Sequence, residues 1–282
     1  MPIFETDDAK LFYEDAGRGE PVLLLHGLGG STADWAPQIE ALAPRYRAIA
    51  LDARGSGRSR DRRRPGGPFS VRQFADDAAR LLDQLGAAPA HVVGLSLGGM
   101  IAFQLAVDHP RCVRTLTIVN SLPALVPRTL SQHLTLWFRR GVARLFGPAG
   151  MARLLVRRLF PRPEQAPLRR RFLEHMARND KRAYIASQRA VVGWSVLDRI
   201  DAIAAPVLVV ASERDYWPVA VKEDYARRMQ RAEVAVVADA GHALPIEAPD
   251  RFNRVLVAFL DRQGGQGAGG VPGGDSSRQA ER

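Results

Sequence analysis

Short apolar runs and amphipathic stretches alternate along most of the chain, a pattern typical of parallel βαβ units. The apolar runs predict strands over residues 10–13, 22–26, 46–52, 91–94, 113–119, 207–211 and 234–237. The stretches with helical spacing predict helices over residues 32–43, 71–85, 97–108, 219–229 and 249–260. Ser70 is the expected N-cap of the second helix and Gly86 its stop. The alternation therefore predicts an α/β fold with a doubly wound, mostly parallel sheet.

The alternation breaks off over residues 121–198, where helix-like segments rich in Arg, Leu and Phe contain no convincing strand. We interpret this region as a helical lid inserted between two core segments, 1–120 and 199–262. One helical stripe of the lid carries Leu130, Leu134, Trp137, Phe138, Val142 and Leu145, and a second carries Met151, Leu154, Leu155 and Leu159. We expect these stripes to pack on the core while the arginines face water.

The end of the chain has a different composition. Residues 263–282 contain seven glycines among small polar residues, too little apolar surface to fold, so this segment is predicted to be a disordered tail.

The charge of the chain is concentrated in the predicted lid. The net charge is +10, and residues 121–198 hold 15 Lys and Arg against 4 Asp and Glu. The basic residues of this region could simply face solvent, or they could attract an anionic substrate, an acidic acyl carrier protein or a membrane surface. A nucleic-acid partner is disfavoured because no recognisable reading motif accompanies the charge.

The overall composition, 46% apolar and 25% charged over 282 residues, is that of a folded globular protein. The apolar runs are far shorter than the roughly 20 residues of a spanning helix. The first residues lack the pattern of a signal peptide, so we expect a cytoplasmic protein without a transmembrane segment. The single cysteine, Cys112, has no metal-type spacing around it, and we expect neither a metal nor a cofactor.

The most informative motif is G-x-S-x-G at Gly94, Ser96 and Gly98, between a predicted strand and a predicted helix. A sharp turn in this context holds a serine side chain exposed in a strained geometry, and the glycines let neighbouring backbone approach closely. Ser96 is therefore the candidate nucleophile. The alternative is that Ser96 only caps the following helix.

A nucleophilic serine needs a histidine base and a carboxylate that orients it. Among six histidines, His242 stands in a loop after the last predicted strand, next to Gly241. The chain order of nucleophile, acid and base favours Asp215, in the loop after residues 207–211, as the acid; Glu213 is the alternative.

Acyl transfer also needs N–H donors for the oxyanion. The candidates are the backbone N–H groups of Leu97, directly after the serine, and of Leu28, in a glycine-rich turn after an early strand. Trp194 and Trp217 are candidate substrate-binding residues that wall an acyl or alcohol pocket, although aromatic residues in such places are often part of the core.

These motifs occur in an order that resembles the α/β-hydrolase fold family over roughly residues 10 to 262. The resemblance rests on His26-Gly27, the Asp52-Ala53-Arg54-Gly55-Ser56-Gly57-Arg58-Ser59 segment, the Gly94–Gly99 turn, Asp215 and Gly241-His242. It implies an esterase-like or lactonase-like enzyme whose triad is covered by a helical cap, and a structural role for the segment that begins at Asp52. Dehalogenase and epoxide-hydrolase relatives carry aspartate where this chain has Ser96, which disfavours those reactions.

We therefore expect a cofactor-independent serine hydrolase that cleaves a carboxylic ester or lactone through an acyl-enzyme. One alternative is a thioesterase for acyl-carrier or CoA thioesters, or a methyl-ester hydrolase, that uses the basic lid. A second is a ligand receptor on the same fold without enzymatic activity.

Overall fold

A central β-sheet organises the computed structural model, which describes residues 2–62 and 67–264. Its strands, in chain order, are β1 (Ile3–Glu5), β2 (Ala9–Ala16), β3 (Glu20–Leu25), β4 (Tyr46–Leu51), β5 (Arg60–Asp61), β6 (Ala90–Leu95), β7 (Val113–Val119), β8 (Val207–Ser212) and β9 (Ala232–Val237). Across the sheet the order is β1-β2-β4-β3-β6-β7-β8-β9, and β5 pairs with β2. The neighbouring strands β4, β3, β6, β7, β8 and β9 run parallel to one another, whereas the pairs that involve β1, β2 and β5 are antiparallel. The mostly parallel sheet is confirmed.

Helices cover both faces of this sheet. In chain order they are α1 (Ala36–Leu42), α2 (Val71–Gln84), α3 (Leu97–Asp108), α4 (Leu130–Leu159), α5 (Ala166–Ala177), α6 (Lys181–Val191), α7 (Val219–Ala226), α8 (Leu244–Glu247) and α9 (Pro249–Gly264). As predicted, Ser70 caps α2: its side chain accepts a hydrogen bond from the N–H of Gln73 at 3.0 Å.

Alternate residues of the strands enter two separate cores. In β3, Leu23 and Leu25 pack with α2, α3 and α7, whereas Val22 and Leu24 pack with α1 and α9. Because neighbouring side chains of a strand point to opposite faces, a continuous run of apolar residues is what a strand buried on both faces requires. This is the doubly wound arrangement that the sequence predicted.

Residues 121–198, which we call the helical segment, connect β7 to β8 and contain α4, α5 and α6. The two ends of the segment pair with each other. The N–H of Leu125 donates to the carbonyl of Trp194, and the N–H of Gly193 donates to the carbonyl of Leu125, both at 2.9 Å. The segment therefore leaves and re-enters the core through one narrow stem.

Helix α4 is kinked at Gly147, which has a φ of 65° and is followed by Pro148. Left-handed backbone favours glycine, so the kink is encoded at this position. Beyond the kink, Met151 and Leu159 are buried and Leu155 is half-buried, as predicted, but Leu154 is exposed.

Before the kink, the expectation that the apolar stripe packs on the core is wrong. The exposed residues there are Leu130, Leu134, Trp137, Phe138 and Leu145, and Val142 is half-buried. This half of α4 turns another face to the protein, on which Ala143 is fully buried in a cluster with Met176 and Tyr184. The stripe is apolar surface that the described residues leave in contact with water.

The closing helix α9 extends to Gly264, so the predicted tail does not begin at residue 263. The rest of that prediction, residues 265–282, lies outside the described residues. None of the described helices is long and apolar enough to cross a bilayer.

Candidate active site

Ser96 lies between β6 and α3 with a φ of 54° and a ψ of −112°. This left-handed backbone is strained for a residue with a side chain. The two motif glycines are required by close approach: a Cβ on Gly98 would lie 1.9 Å from the carbonyl oxygen of Leu25, and one on Gly94 would lie 2.2 Å from the carbonyl oxygen of Gly98. The Ser96 side chain makes no capping hydrogen bond to α3, so the capping alternative does not explain it.

His242 and Asp215 face each other from the loops that follow β9 and β8. His242 Nδ1 lies 2.5 Å from Asp215 Oδ1, and the Asp215 side chain is completely buried. An ionised carboxylate only accepts hydrogen bonds, so Nδ1 carries the proton and Nε2 has a free lone pair. Glu213, the alternative acid, is exposed and accepts a hydrogen bond from the N–H of Asp239 at 2.8 Å. The structure thus brings Asp215, and not Glu213, to His242.

The other carboxylate oxygen of Asp215 forms an ion pair with a residue that the sequence analysis missed. Lys222 Nζ lies 2.5 Å from Asp215 Oδ2, and both side chains are fully buried. Burial alone would raise the pKa of Asp215, but the hydrogen bonds from His242 and Lys222 outweigh it and hold the pKa below its ordinary value. Lys222 could have been found from spacing, because it shares one face of α7 with the buried Tyr225 and Ala226.

The loop that carries Leu28 is fixed by hydrogen bonds to the Asp52 segment. His26 Nε2 accepts the N–H of Ala53 at 3.0 Å, and the Asp52 carboxylate accepts the N–H groups of Thr32 and Arg58 at 2.6 and 2.7 Å. The contacts of Asp52 support the turn rather than reach into the cavity.

The two candidate oxyanion donors, the N–H groups of Leu28 and Leu97, are both free to donate. Leu97 is the first residue of α3, where an N–H has no acceptor within the helix. Leu28 follows Gly27, at which an added Cβ would lie 3.6 Å from Ser96 Cβ. Neither N–H donates a hydrogen bond within residues 2–62 and 67–264. Both residues line the same cavity as Ser96.

That cavity has a volume of about 600 Å³, and its walls include Ser96, His242, Leu28, Leu97 and Trp217. The size is that of a small-molecule site. It lies between the ends of the parallel strands and the helical segment, which contributes much of the wall.

Two aromatic rings hold the His242 imidazole in place. Tyr216 stacks on it with ring centroids 4.2 Å apart at 24°, and Trp217 approaches edge-on at 5.8 Å. Trp194, the other predicted pocket residue, is not brought to the cavity: its indole packs on the core, and its Nε1 donates to Gln104 at 2.7 Å. Tyr216, which the sequence analysis did not select, is thus the aromatic residue closest to the base.

Comparisons with known proteins agree with this geometry. A family model described as alpha/beta hydrolase fold matches residues 20–249. The chain therefore belongs to the alpha/beta hydrolase fold family, as its motifs indicate.

Individual relatives have hydrolase names. A relative from Azorhizobium caulinodans, named "Putative carbamate hydrolase RutD", is 34% identical over 92% of this chain and 98% of its own length. The enol-lactonase from Burkholderia xenovorans LB400 is 25% identical with a TM-score of 0.84, covering 92% of this chain and all of that one. A thermophilic esterase from Thermogutta terrifontis is 27% identical with a TM-score of 0.81, covering 90% and 94%. These names support a hydrolase of this family.

Proposed function

We propose that this protein is a serine hydrolase that cleaves a small carboxylic ester or lactone through an acyl-enzyme. The observation that carries the proposal is the pair of His242 and Asp215, joined at 2.5 Å, on the same cavity as a serine in a strained turn. A serine hydroxyl becomes a nucleophile at neutral pH only beside such a base.

The reaction proceeds in two halves. His242 Nε2 takes the proton of Ser96 Oγ as the oxygen attacks the substrate carbonyl, and the Asp215 carboxylate stabilises the imidazolium that forms. The N–H groups of Leu28 and Leu97 receive the oxyanion. The imidazolium then gives its proton to the departing alcohol oxygen, which in a lactone remains attached to the acyl group. Water, activated by the same base, releases the acid and restores Ser96.

The helical segment acts as a lid in this proposal. It covers the cavity from the side opposite the sheet, so that bound substrate is shielded from bulk water. The exclusion of water strengthens the interactions that stabilise the oxyanion.

The test is hydrolysis of p-nitrophenyl esters from acetate to palmitate by the wild type and by Ser96→Ala. We expect kcat to fall about 10⁴-fold or more in the variant, with Ser195→Ala, an exposed serine on the stem, as the matched control. Both variants are compared with the wild type by circular dichroism. Equal rates for wild type and Ser96→Ala would refute the role of Ser96. A folded wild type that binds esters and lactones without cleaving them would favour the receptor.

The names of the relatives favour a second candidate, the hydrolysis of a carbamate. The same groups would act: Ser96 attacks the carbamate carbonyl, the alcohol leaves with a proton from His242, and water hydrolyses the carbamoyl-enzyme that remains. Comparing kcat/KM for p-nitrophenyl N-methylcarbamate and p-nitrophenyl acetate distinguishes the two candidates. Acyl-carrier thioesters, assayed beside them at low and high salt, test the alternative that uses the basic lid.

A further inference from the structure

The cavity wall has an excess of positive charge. Helix α4 contributes Arg139, Arg140 and Arg158, whereas Asp34 is the single carboxylate of the described lining. Asp34 is already engaged as the acceptor of the Ser31 N–H at 3.1 Å. Within the described residues, none of the three α4 arginines has a carboxylate within 4 Å. Their charges are therefore not neutralised by the protein around the cavity.

Two of these arginines act on Tyr216, the ring that stacks on His242. The guanidinium of Arg158 lies over the Tyr216 ring, 4.6 Å from its centroid, and the same ring stacks on His242. Burial raises the pKa of Tyr216 to about 12, against the opposing effect of the positive charges of Arg139 and Arg158. The Tyr216 hydroxyl thus stays protonated and can donate a hydrogen bond.

Three residues of the cavity wall also have buried polar atoms without partners. Tyr216 Oη, His175 Nε2 and Gln188 Oε1 are buried, belong to cavity-lining residues and make no hydrogen bond within the described chain. Buried polar atoms are rarely left unpaired in a folded protein. The free arginines, with the unpaired Tyr216 hydroxyl on the ring next to Arg158, indicate a ligand with an anionic group rather than a purely apolar acyl chain.

We propose that the substrate is the half-ester of a small dicarboxylic acid, whose free carboxylate is bound by Arg139 and Arg158 while Ser96 attacks the ester. The inference rests on the proposed function and adds the substrate class. The planar guanidinium presents paired N–H donors that match a carboxylate. A cavity of about 600 Å³ accommodates a small diacid half-ester.

The experiment compares monoethyl adipate, which carries one negative charge, with the neutral diethyl adipate. The ratio of kcat/KM for the two substrates is measured by chromatography of the products for the wild type, Arg139→Gln and Arg158→Gln. Arg157→Gln is the matched control, because Arg157 is an exposed neighbour on α4 that is not part of the cavity wall. We expect the wild type to prefer the half-ester, and the ratio to fall at least about tenfold in each cavity variant. A ratio that is the same in all four proteins would overturn the proposal.

A binding measurement separates this proposal from the proposed function. Titration calorimetry of adipate into Ser96→Ala is compared with adipate into Ser96→Ala combined with Arg158→Gln. Binding that weakens about tenfold or more supports the carboxylate site even if neither ester is hydrolysed. Ser96-dependent hydrolysis of diethyl adipate, with adipate binding that Arg158→Gln leaves unchanged, overturns the carboxylate site and leaves the serine hydrolase intact. Arg158→Lys, which keeps the charge but loses the paired donors, should bind adipate with intermediate affinity.

Discussion

Replacing Lys222 with methionine removes a buried positive charge while nearly keeping the volume of the side chain. In the wild type, one oxygen of Asp215 faces His242 and the other faces Lys222, each at 2.5 Å. The lysine therefore neutralises much of the negative charge that would otherwise stabilise the imidazolium. In Lys222→Met the imidazolium becomes more stable, so the base is lost to protonation at a higher pH.

The size of this effect follows from the geometry. Two positive charges on opposite oxygens of one carboxylate are about 6 Å apart, and at an effective dielectric constant of about 20 they repel each other by roughly 3 kcal/mol. This energy corresponds to about two pH units. Relaxation of α7 and entry of water reduce it, so we expect the acidic limb of the kcat/KM profile to move up by about one unit or more.

The assay is the pH profile of kcat/KM for a p-nitrophenyl ester, from pH 4.5 to 9, on the wild type and Lys222→Met. Asp224→Asn is the control, because it changes a charge on the same helix at an exposed position. Its profile should coincide with that of the wild type.

Stability is measured alongside, by urea unfolding. Removal of one partner from a buried ion pair typically costs about 3 to 5 kcal/mol. We expect the lower end, because the remaining Asp215 carboxylate keeps its hydrogen bonds from His242 and from the N–H of Tyr216. A folded Lys222→Met protein with an unshifted acidic limb would show that Lys222 does not act on the base, and would refute the electrostatic argument.

Two further predictions concern packing and exposure. Gly98→Ala should destabilise the protein by about 3 kcal/mol or more, since its Cβ would meet the backbone oxygen of Leu25. Thermal unfolding measures this loss. The control is Gly141→Ala, which should be neutral or slightly stabilising because an added Cβ meets nothing within 4 Å there. Trp137 is 75% exposed, so Trp137→Phe should remove the tryptophan fluorescence that acrylamide quenches most readily. If the fraction of fluorescence that acrylamide quenches is the same in the wild type and the variant, the stripe on α4 is covered in solution.

The core elements could be predicted because local signals mark their ends. Helix α3 and strand β7 have the predicted bounds, since the serine turn fixes the start of the helix and His109-Pro110 separates it from the strand. Strands β1 and β5, of three and two residues, were not predicted. Elements this short show no recognisable alternation, and they form because β2 offers them an edge.

The predictions that failed depend on which surfaces meet. An amphipathic stripe defines a face of a helix but does not say what covers it, so the exposure of Trp137 and Phe138 could not be read from their spacing. The sequence analysis missed Lys222 for a similar reason. A lysine is ordinarily expected at the surface, although the spacing of Lys222 with Tyr225 and Ala226 puts it on the buried face of α7.

The proposed chemistry and the proposed substrate specificity depend on different parts of the fold. Ser96, Asp215 and His242 each follow a parallel strand, and the carboxyl ends of parallel strands share one edge of the sheet, so the strand order places all three residues at that edge. Arg139 and Arg158, in contrast, belong to α4 of the helical segment and line the cavity from there. Changes in that segment can therefore alter the charge that faces the substrate while the hydrogen bond between His242 and Asp215 stays as it is. If so, relatives that share the three side chains should differ in substrate charge according to the residues that their own helical segments place over the base.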